Sequence, residues 1–196
     1  MVMLRGGRAR GGFTIIELLV VIVVIGILAT ITIVAFNGVQ QRAKYARALV
    51  SLEQWDKIVK LYYSEYGTVP MTGGGDVCLG GGYAASDDFP ENSCMYNGTS
   101  LADSSPTITS SFRVISSQLP ADTADIVGKL QGKFNESFRG ITYQANVNSG
   151  ILSVYLGLSM QGDQSCGSFY KATYVPPAYT ATVTMCTDKV IEASGF

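Results

Sequence analysis

The strongest pattern in this 196-residue chain is an apolar run near its start. No charged residue occurs between Leu18 and Gln41, and as a helix this stretch would be about 36 Å long. That length exceeds the hydrocarbon core of a bilayer, about 30 Å thick, so the run predicts a membrane-spanning helix. A secretory signal peptide has a shorter apolar region and ends at a small-residue cleavage site, which Ala29-Thr30-Ile31 does not provide. The pattern therefore favours a membrane anchor.

The helical pattern continues beyond the apolar run as an amphipathic stripe. Apolar residues recur there at intervals of three and four, which corresponds to one face of a helix. The stripe consists of Tyr45, Ala48, Leu52, Trp55, Val59, Tyr62 and Tyr66. Gly67 is a stop signal, and Pro70 follows three residues later. The sequence predicts one helix from Phe13 to Tyr66, its second half packed on a globular domain.

The helical period is lost after Gly67. Residues 73–105 contain two glycine clusters and are interpreted as a loop. The stretch Thr109–Leu119 predicts a short helix with Thr109 or Ser110 as its N-cap. Its inward-facing residues would be Phe112, Ile115 and Leu119.

Alternating apolar and polar positions in the C-terminal part predict four antiparallel strands. Their ranges are 141–147, 151–158, 169–175 and 179–186. Asn148-Ser149-Gly150 is interpreted as the turn between the first two strands. In the last strand Thr180, Thr182 and Thr184 share a face that we expect to be exposed to solvent. A small antiparallel sheet that buries one face against the long N-terminal helix gives an α+β fold.

The four cysteines all follow the apolar run, and none forms a C-x-x-C pair. An even number of cysteines in an exported segment favours two disulfides over a metal site or catalysis. Local pairing would join Cys78 to Cys94 and Cys166 to Cys186, although the sequence alone permits other pairings. The basic residues on the two sides of the apolar run are almost equal in number, so it is the cysteines that favour an exported C-terminus.

Composition and charge exclude several classes of function. The chain has no histidine, which removes histidine-dependent triads and most zinc sites. The net charge is −1 without a basic patch, so no specific nucleic-acid partner is evident. Asp87, Asp88 and Glu91 lack the ligand order of a calcium loop and are interpreted as a solvated acidic loop. We therefore predict no catalytic site, no metal and no cofactor. Asn97 and Asn135 each begin a short glycosylation sequon.

Glu17 is the one acid at the start of the apolar run. A charged side chain at the centre of a membrane helix costs about 2.5–3.5 kcal/mol on insertion scales, and such residues are candidates for a functional role. No basic residue lies three or four positions away from it. We therefore expect Glu17 to be unpaired within its own chain.

The residues from Gly12 to Ile22 resemble the class III signal of type IV prepilins. That signal consists of a short basic leader ending in glycine, then phenylalanine, then a glutamate four residues later, and a long apolar run. Here Arg5, Arg8 and Arg10 precede Gly12-Phe13, and Glu17 is in the corresponding position. The resemblance implies cleavage by a prepilin peptidase between Gly12 and Phe13, N-methylation of Phe13, and pairing of Glu17 with the Phe13 amine of a neighbouring subunit.

The resemblance also implies a domain organisation. Residues 1–12 would be the leader, 13–36 the transmembrane and filament-core helix, 37–66 its amphipathic continuation, and 67–196 the exported globular domain. Such a chain resides in the cell membrane and then in an extracellular filament. The implied partners are further copies of the chain in a helical filament, the prepilin peptidase, the inner-membrane pilus assembly platform and, before assembly, the membrane.

Three functions are compatible with these observations. The first is a structural subunit of a type IV pilus. The second is a minor pilin or a pseudopilin of a type II secretion or DNA-uptake system. The third is a monomeric membrane-anchored binding protein or enzyme, which would leave Gly12-Phe13 and Glu17 as coincidences.

Overall fold

The computed structural model of the chain describes residues 12, 14–96, 100–130, 136–174 and 182–196. The chain forms two compact units, the first ending at Arg42 and the second running from Ala43 to Phe196. The long helix α1 (Ile15–Tyr66) contributes residues to both units. It ends where the sequence predicts, because Gly67 has a φ of +67° and its N–H donates to the carbonyl of Tyr63 at 2.8 Å.

The second unit continues with two short helical segments and a sheet. In chain order its elements are β1 (Val77–Leu79), β2 (Ser93–Tyr96), β3 (Ser100–Ser104), α2 (Pro106–Ser111), a 3-10 helix (Phe112–Val114), β4 (Val127–Leu130), β5 (Glu136–Arg139), β6 (Ile141–Asn148), β7 (Ile151–Gln161), β8 (Tyr170–Tyr174) and β9 (Val183–Ser194). Within the described ranges, nine strands form one sheet in the order β4-β5-β2-β3-β1-β6-β7-β9-β8. All pairs are antiparallel except β1 with β3. The predicted α+β class is confirmed.

The amphipathic stripe of α1 forms one side of the core. Ala48, Leu52 and Val59 are completely buried, and Trp55 is 1% exposed. The stripe ends one turn earlier than the sequence suggests, since Tyr66 is 52% exposed. Burying a side chain such as that of Leu52 or Val59 stabilises the fold by about 1.5–3 kcal/mol relative to leaving it in water.

Phe112 connects the stripe of α1 to the sheet. Its ring packs edge-on against Trp55 at 5.7 Å, Tyr62 at 5.4 Å and Tyr143 at 5.7 Å between centroids. Such edge-to-face pairs add about 0.5–1.5 kcal/mol beyond the burial of their area. The expected inward orientation of Phe112 is confirmed, and Ile115 also packs against the core.

The hairpin of β6 and β7 has the predicted turn. Ser149 and Gly150 connect the strands, and both have positive φ, of 52° and 76°. Two-residue hairpin turns of this kind match the twist of the strands, and they favour glycine because a Cβ is strained there.

Three sequence-based predictions about local structure are wrong. Residues 73–105 contain β1, β2 and β3 and are not a continuous loop. These strands are only three to five residues long, and long-range pairing stabilises them. The helix predicted at Thr109–Leu119 is α2, which begins at Pro106 with Ser105 as N-cap; the Ser105 Oγ accepts from the N–H of Ile108 at 3.3 Å.

The third error concerns the face of the last strand, which begins at Val183. Thr184 is completely buried, although we expected it on the solvent side. Its hydroxyl donates to the carbonyl of Gly162 and accepts from the N–H of Gln164, both at 2.8 Å. A threonine can be buried at low cost when both hydrogen-bonding functions of its hydroxyl are satisfied. Thr180 lies outside the described residues.

Candidate functional site

The N-terminus of α1 carries a reciprocal hydrogen-bonded cap. The N–H of Thr14 donates to Oε2 of Glu17 at 2.8 Å, and the Thr14 hydroxyl donates to the same oxygen at 2.7 Å. In return, the N–H of Glu17 donates to the Thr14 hydroxyl oxygen at 3.3 Å. This is a capping box, with Thr14 as the N-cap and Glu17 three residues later.

The capping box corrects the expectation that Glu17 has no partner in its own chain. The sequence signal was Thr14-Ile15-Ile16-Glu17, since threonine followed three residues later by glutamate before an apolar run is typical of a helix start. A carboxylate at this end of a helix is also favoured by the helix dipole.

The two residues of the predicted cleavage site lie immediately before the cap. Gly12 is exposed, and Phe13 lies outside the described residues. Cleavage and methylation at this junction therefore stay predictions. A cut between Gly12 and Phe13 would leave the N–H and the hydroxyl of Thr14 unchanged, so the mature chain would keep the capping box.

The segment after the cap is long and apolar enough to cross a membrane. It covers Ile15–Thr32 with a mean hydropathy of 2.9, and none of it is buried within the chain. Its large apolar side chains are between 48% and 86% exposed. The hydroxyls of Thr30 and Thr32 donate to helix carbonyls one turn back, at 2.8 Å to Ile27 and 2.9 Å to Ala29. Polar groups satisfied inside the helix are compatible with a lipid environment.

The cysteines are joined as local pairing predicts. One disulfide connects Cys78 in β1 to Cys94 in β2, and the other connects Cys166, before β8, to Cys186 in β9. All four residues are at most 3% exposed. The first disulfide therefore links two short strands of the sheet, and the second links the loop before β8 to β9.

The acidic loop lies at the surface. Asp87 and Glu91 are exposed, and Asp88 forms an ion pair with Lys129. Within the described ranges, no group of three or more histidine, cysteine or acidic residues could hold a metal ion. The sequon residues Asn97 and Asn135 lie outside the described residues.

The sequence does not predict the role of Arg139, which is 5% exposed. Its guanidinium donates to three backbone carbonyls, those of Ser93 at 2.6 Å, Ala84 at 2.7 Å and Pro90 at 3.0 Å. It also lies 4.6 Å from the centroid of the Phe89 ring. One side chain thus organises the loop between β1 and β2, and no local pattern in the sequence indicates this.

The N-terminal region matches a protein-family model. Residues 7–33 match the prokaryotic N-terminal methylation motif. The chain is also 37% identical over 59 residues to the type IV major pilin protein PilE1 of Neisseria gonorrhoeae. The same identity over 59 residues relates it to a fimbrial protein of Neisseria meningitidis serogroup B.

These alignments cover 30% of this chain, 36% of the gonococcal protein and 35% of the meningococcal one. The chain thus matches about a third of the length of these relatives. No solved structure matches the chain. The matched motif coincides with the capped start of α1 and the exposed apolar span. The N-terminal region of this chain therefore carries the prokaryotic N-terminal methylation motif and is similar to that of type IV major pilins, and an α+β unit follows it.

Proposed function

We propose that this chain is a structural subunit of a type IV pilus, cut between Gly12 and Phe13 and assembled through the apolar part of α1. The observation that carries the proposal is the methylation motif at residues 7–33, on a helix whose span Ile15–Thr32 is not buried within the chain. A membrane-embedded prepilin peptidase would remove residues 1–12 and methylate the amine of Phe13. The role is structural and needs no catalytic residue or cofactor.

The exposed span explains why the subunit would have to assemble. An apolar surface of this extent is unstable in water, so it needs either lipid or protein around it. Before assembly the bilayer covers the span. In the filament the same segment of neighbouring copies would cover it. The proposed partners are therefore further copies of the chain, the peptidase and the inner-membrane assembly platform.

Glu17 would contribute a charge to this assembly. Both hydrogen bonds from Thr14 go to Oε2, and Oε1 accepts none from the described residues. The capping box therefore leaves the carboxylate charged, with an oxygen that the Phe13 amine of a neighbouring copy could approach. In a poorly hydrated layer such opposite charges attract more strongly than in water.

The buried disulfides support export of the second unit. Disulfides persist in oxidising compartments and are rare in the cytosol. Together with the arginines before Gly12, they favour a single-pass topology with the leader inside and residues 43–196 outside.

A pair of matched variants tests the processing step. Gly12→Val should block the cut, whereas Gly11→Val, one residue further from the junction, should be processed. N-terminal mass spectrometry of the membrane fraction should find a methylated Phe13 start in the unmodified chain and in Gly11→Val. A mature start after Ala29, or an intact leader on the unmodified chain, would contradict the proposal.

A minor pilin or a pseudopilin is the second candidate. The relatives are aligned over only 59 residues, so the similarity does not extend to most of the exported unit. Mass spectrometry of sheared surface filaments distinguishes the two. A pilus subunit would be the main component of the filaments, and a minor pilin would be a trace component.

A further inference from the structure

The second unit contains a cavity of about 230 Å³ on one face of the sheet. Thr142, Ser159 and Thr187 line it. The neighbours of these residues along their strands belong to the core that contains the side chains of α1. Because successive side chains of a strand point to opposite faces, the cavity lies on the face turned away from α1.

Gly157 lines this cavity, and Gly128 lies against Ser159, another lining residue. A Cβ at Gly128 would lie 3.1 Å from side-chain atoms of Ser159 and Val183, so β4 approaches β7 and β9 closely. A Cβ at Gly157 would lie 2.7 Å from the Thr142 hydroxyl oxygen. The sheet thus curls over itself, and at Gly157 the backbone, which has no side chain there, forms part of the cavity wall.

The charge and polarity of the lining residues limit which ligands could bind. Among the described residues that line the cavity, Asp76 is the one charged side chain, and it is half-buried. It has no ion pair or hydrogen bond with any described residue, and burial raises the pKa of its carboxyl group. Met95, Phe138 and Met185 supply an apolar surface. An anion would be repelled here, and a neutral apolar ligand would leave the carboxylate without a partner.

Two polar residues of the lining, Asp76 and Ser159, lie far apart along the sheet. Val77 pairs with Tyr143, and Gln144 pairs with Tyr155, so Asp76 is level with Tyr155 across the sheet. Ser159 lies four residues further along β7, which corresponds to about 13 Å. Ser159 is 4% exposed, and its hydroxyl makes no hydrogen bond within the described part of the chain.

We propose that this cavity binds a primary alkylammonium ion, with the ammonium at Asp76 and the alkyl chain over Met95, Phe138 and Met185. A cavity of about 150 Å³ is known to accept benzene, so about 230 Å³ has room for a chain of a few methylene groups. It is smaller than typical sites for drug-sized ligands, about 300–1,000 Å³. The ammonium could belong to a free amine or to the side chain of a lysine in a partner protein.

Methyl NMR of the full-length chain in detergent tests this proposal. The methyl groups of Met95 and Met185 line the cavity, whereas Met71 is an exposed residue outside it and Met160 lies in the core that contains α1 side chains. Titration with n-pentylammonium should shift the first two resonances and leave the other two unchanged. Equal shifts of all four, or an equal response to n-pentanol, would overturn the proposal.

Variants and a second probe complete the test. Asp76→Asn should weaken n-pentylammonium binding at least tenfold, and the control Asp87→Asn, an exposed acid outside the cavity, should not. Unchanged binding by Asp76→Asn would overturn the proposal. Nα-acetyl-lysine methylamide presents the same ammonium on a peptide unit. Binding of this probe alone identifies a protein side chain as the ligand, binding of n-pentylammonium alone identifies a free amine, and binding of neither overturns the proposal.

Discussion

Glu17 has one observed role and one proposed role, and the two can be separated. Its hydrogen bonds with Thr14 belong to the helix start, whereas its charge belongs to the proposed assembly. An N-cap contributes about 0.5–2 kcal/mol to a helix, and a glutamine in a capping box accepts the same bonds as a glutamate. The two roles can therefore be removed independently.

We predict that Glu17→Gln keeps the helix start and impairs assembly. The amide oxygen can still accept from Thr14, but the attraction to the Phe13 amine of a neighbour is lost. Membrane-bound mature protein should stay near its normal level, while sheared filaments should fall sharply. Thr14→Ala is the matched variant, because it removes the hydroxyl of the cap and keeps the charge. Normal filaments from Glu17→Gln would rule out the charge as the assembly determinant.

Asp76 is expected to destabilise the fold at neutral pH. Because burial raises the pKa of this carboxyl group, the folded chain holds its proton more tightly than the unfolded chain does. Stability is therefore lost as pH rises from the unfolded value, about 3.9, through the folded pKa, and the full cost is present above it.

We therefore predict that Asp76→Asn raises the free energy of unfolding at pH 7 and leaves it almost unchanged at pH 3. Denaturant titrations at the two pH values measure both effects. The control is Asp87→Asn, which should have little effect at either pH because Asp87 is exposed. A loss of stability in Asp76→Asn at pH 7 would show that the carboxylate is compensated by a partner.

The elements differ in how well the sequence predicts them. The long helix, its inward stripe and the β6–β7 hairpin follow from local periodicity and turn residues, and the sequence predicts all three. The short strands β1 to β3 have no such pattern, because each is stabilised by partners far away in the chain and by the disulfide between Cys78 and Cys94. Long-range pairing of this kind is not readable from neighbouring residues.

The candidate sites also differ in how well the sequence predicts them. The N-terminal methylation motif and the capping box are each formed by neighbouring residues and can be predicted from the sequence. The cavity at Asp76 is built from five separate strands and the residue before β1, so it emerges only from the fold. The hydrogen bonds of Arg139 also depend on the fold, since its three carbonyl acceptors lie 46 to 55 positions away in the sequence.

We predict that Arg139→Met destabilises the second unit by an amount on the order of 2 kcal/mol or more. Methionine fills much of the volume but leaves the carbonyls of Ala84, Pro90 and Ser93 without their donor, and hydrogen bonds to a charged group contribute about 1.5–3 kcal/mol. Arg113→Met is the control, because Arg113 is exposed and makes one hydrogen bond, at 3.3 Å. Equal unfolding free energies for the two variants would contradict the role given to Arg139.

At the scale of the whole molecule, the helix α1 belongs to two units. Its residues up to Arg42 lie in the first, and its residues from Ala43 onward lie in the second, with most of the stripe buried in the core. The end of the helix at Tyr66 is therefore not the boundary of the folding unit. A chain that begins at Gly67 would lack Leu52, Trp55 and Val59, and the facing side chains of Phe112 and Tyr143 would be exposed.

We predict that residues 43–196 fold without the apolar span and that residues 67–196 do not. The longer fragment keeps every stripe residue from Tyr45 onward, so its core loses nothing that the second unit buries. Circular dichroism and denaturant titration should give one cooperative transition for it, with emission from Trp55, the single tryptophan, reporting the same midpoint.

The shorter fragment is the matched control, because it contains all four cysteines and the entire sheet. Deleting buried side chains as large as Leu52 and Trp55 costs about 2–5 kcal/mol each, which together exceed much of the stability of a typical domain. We expect it to show no cooperative transition and to aggregate. A stable, monomeric fragment 67–196 would show that the sheet and its disulfides are sufficient for folding, and that the stripe of α1 serves some purpose other than the core.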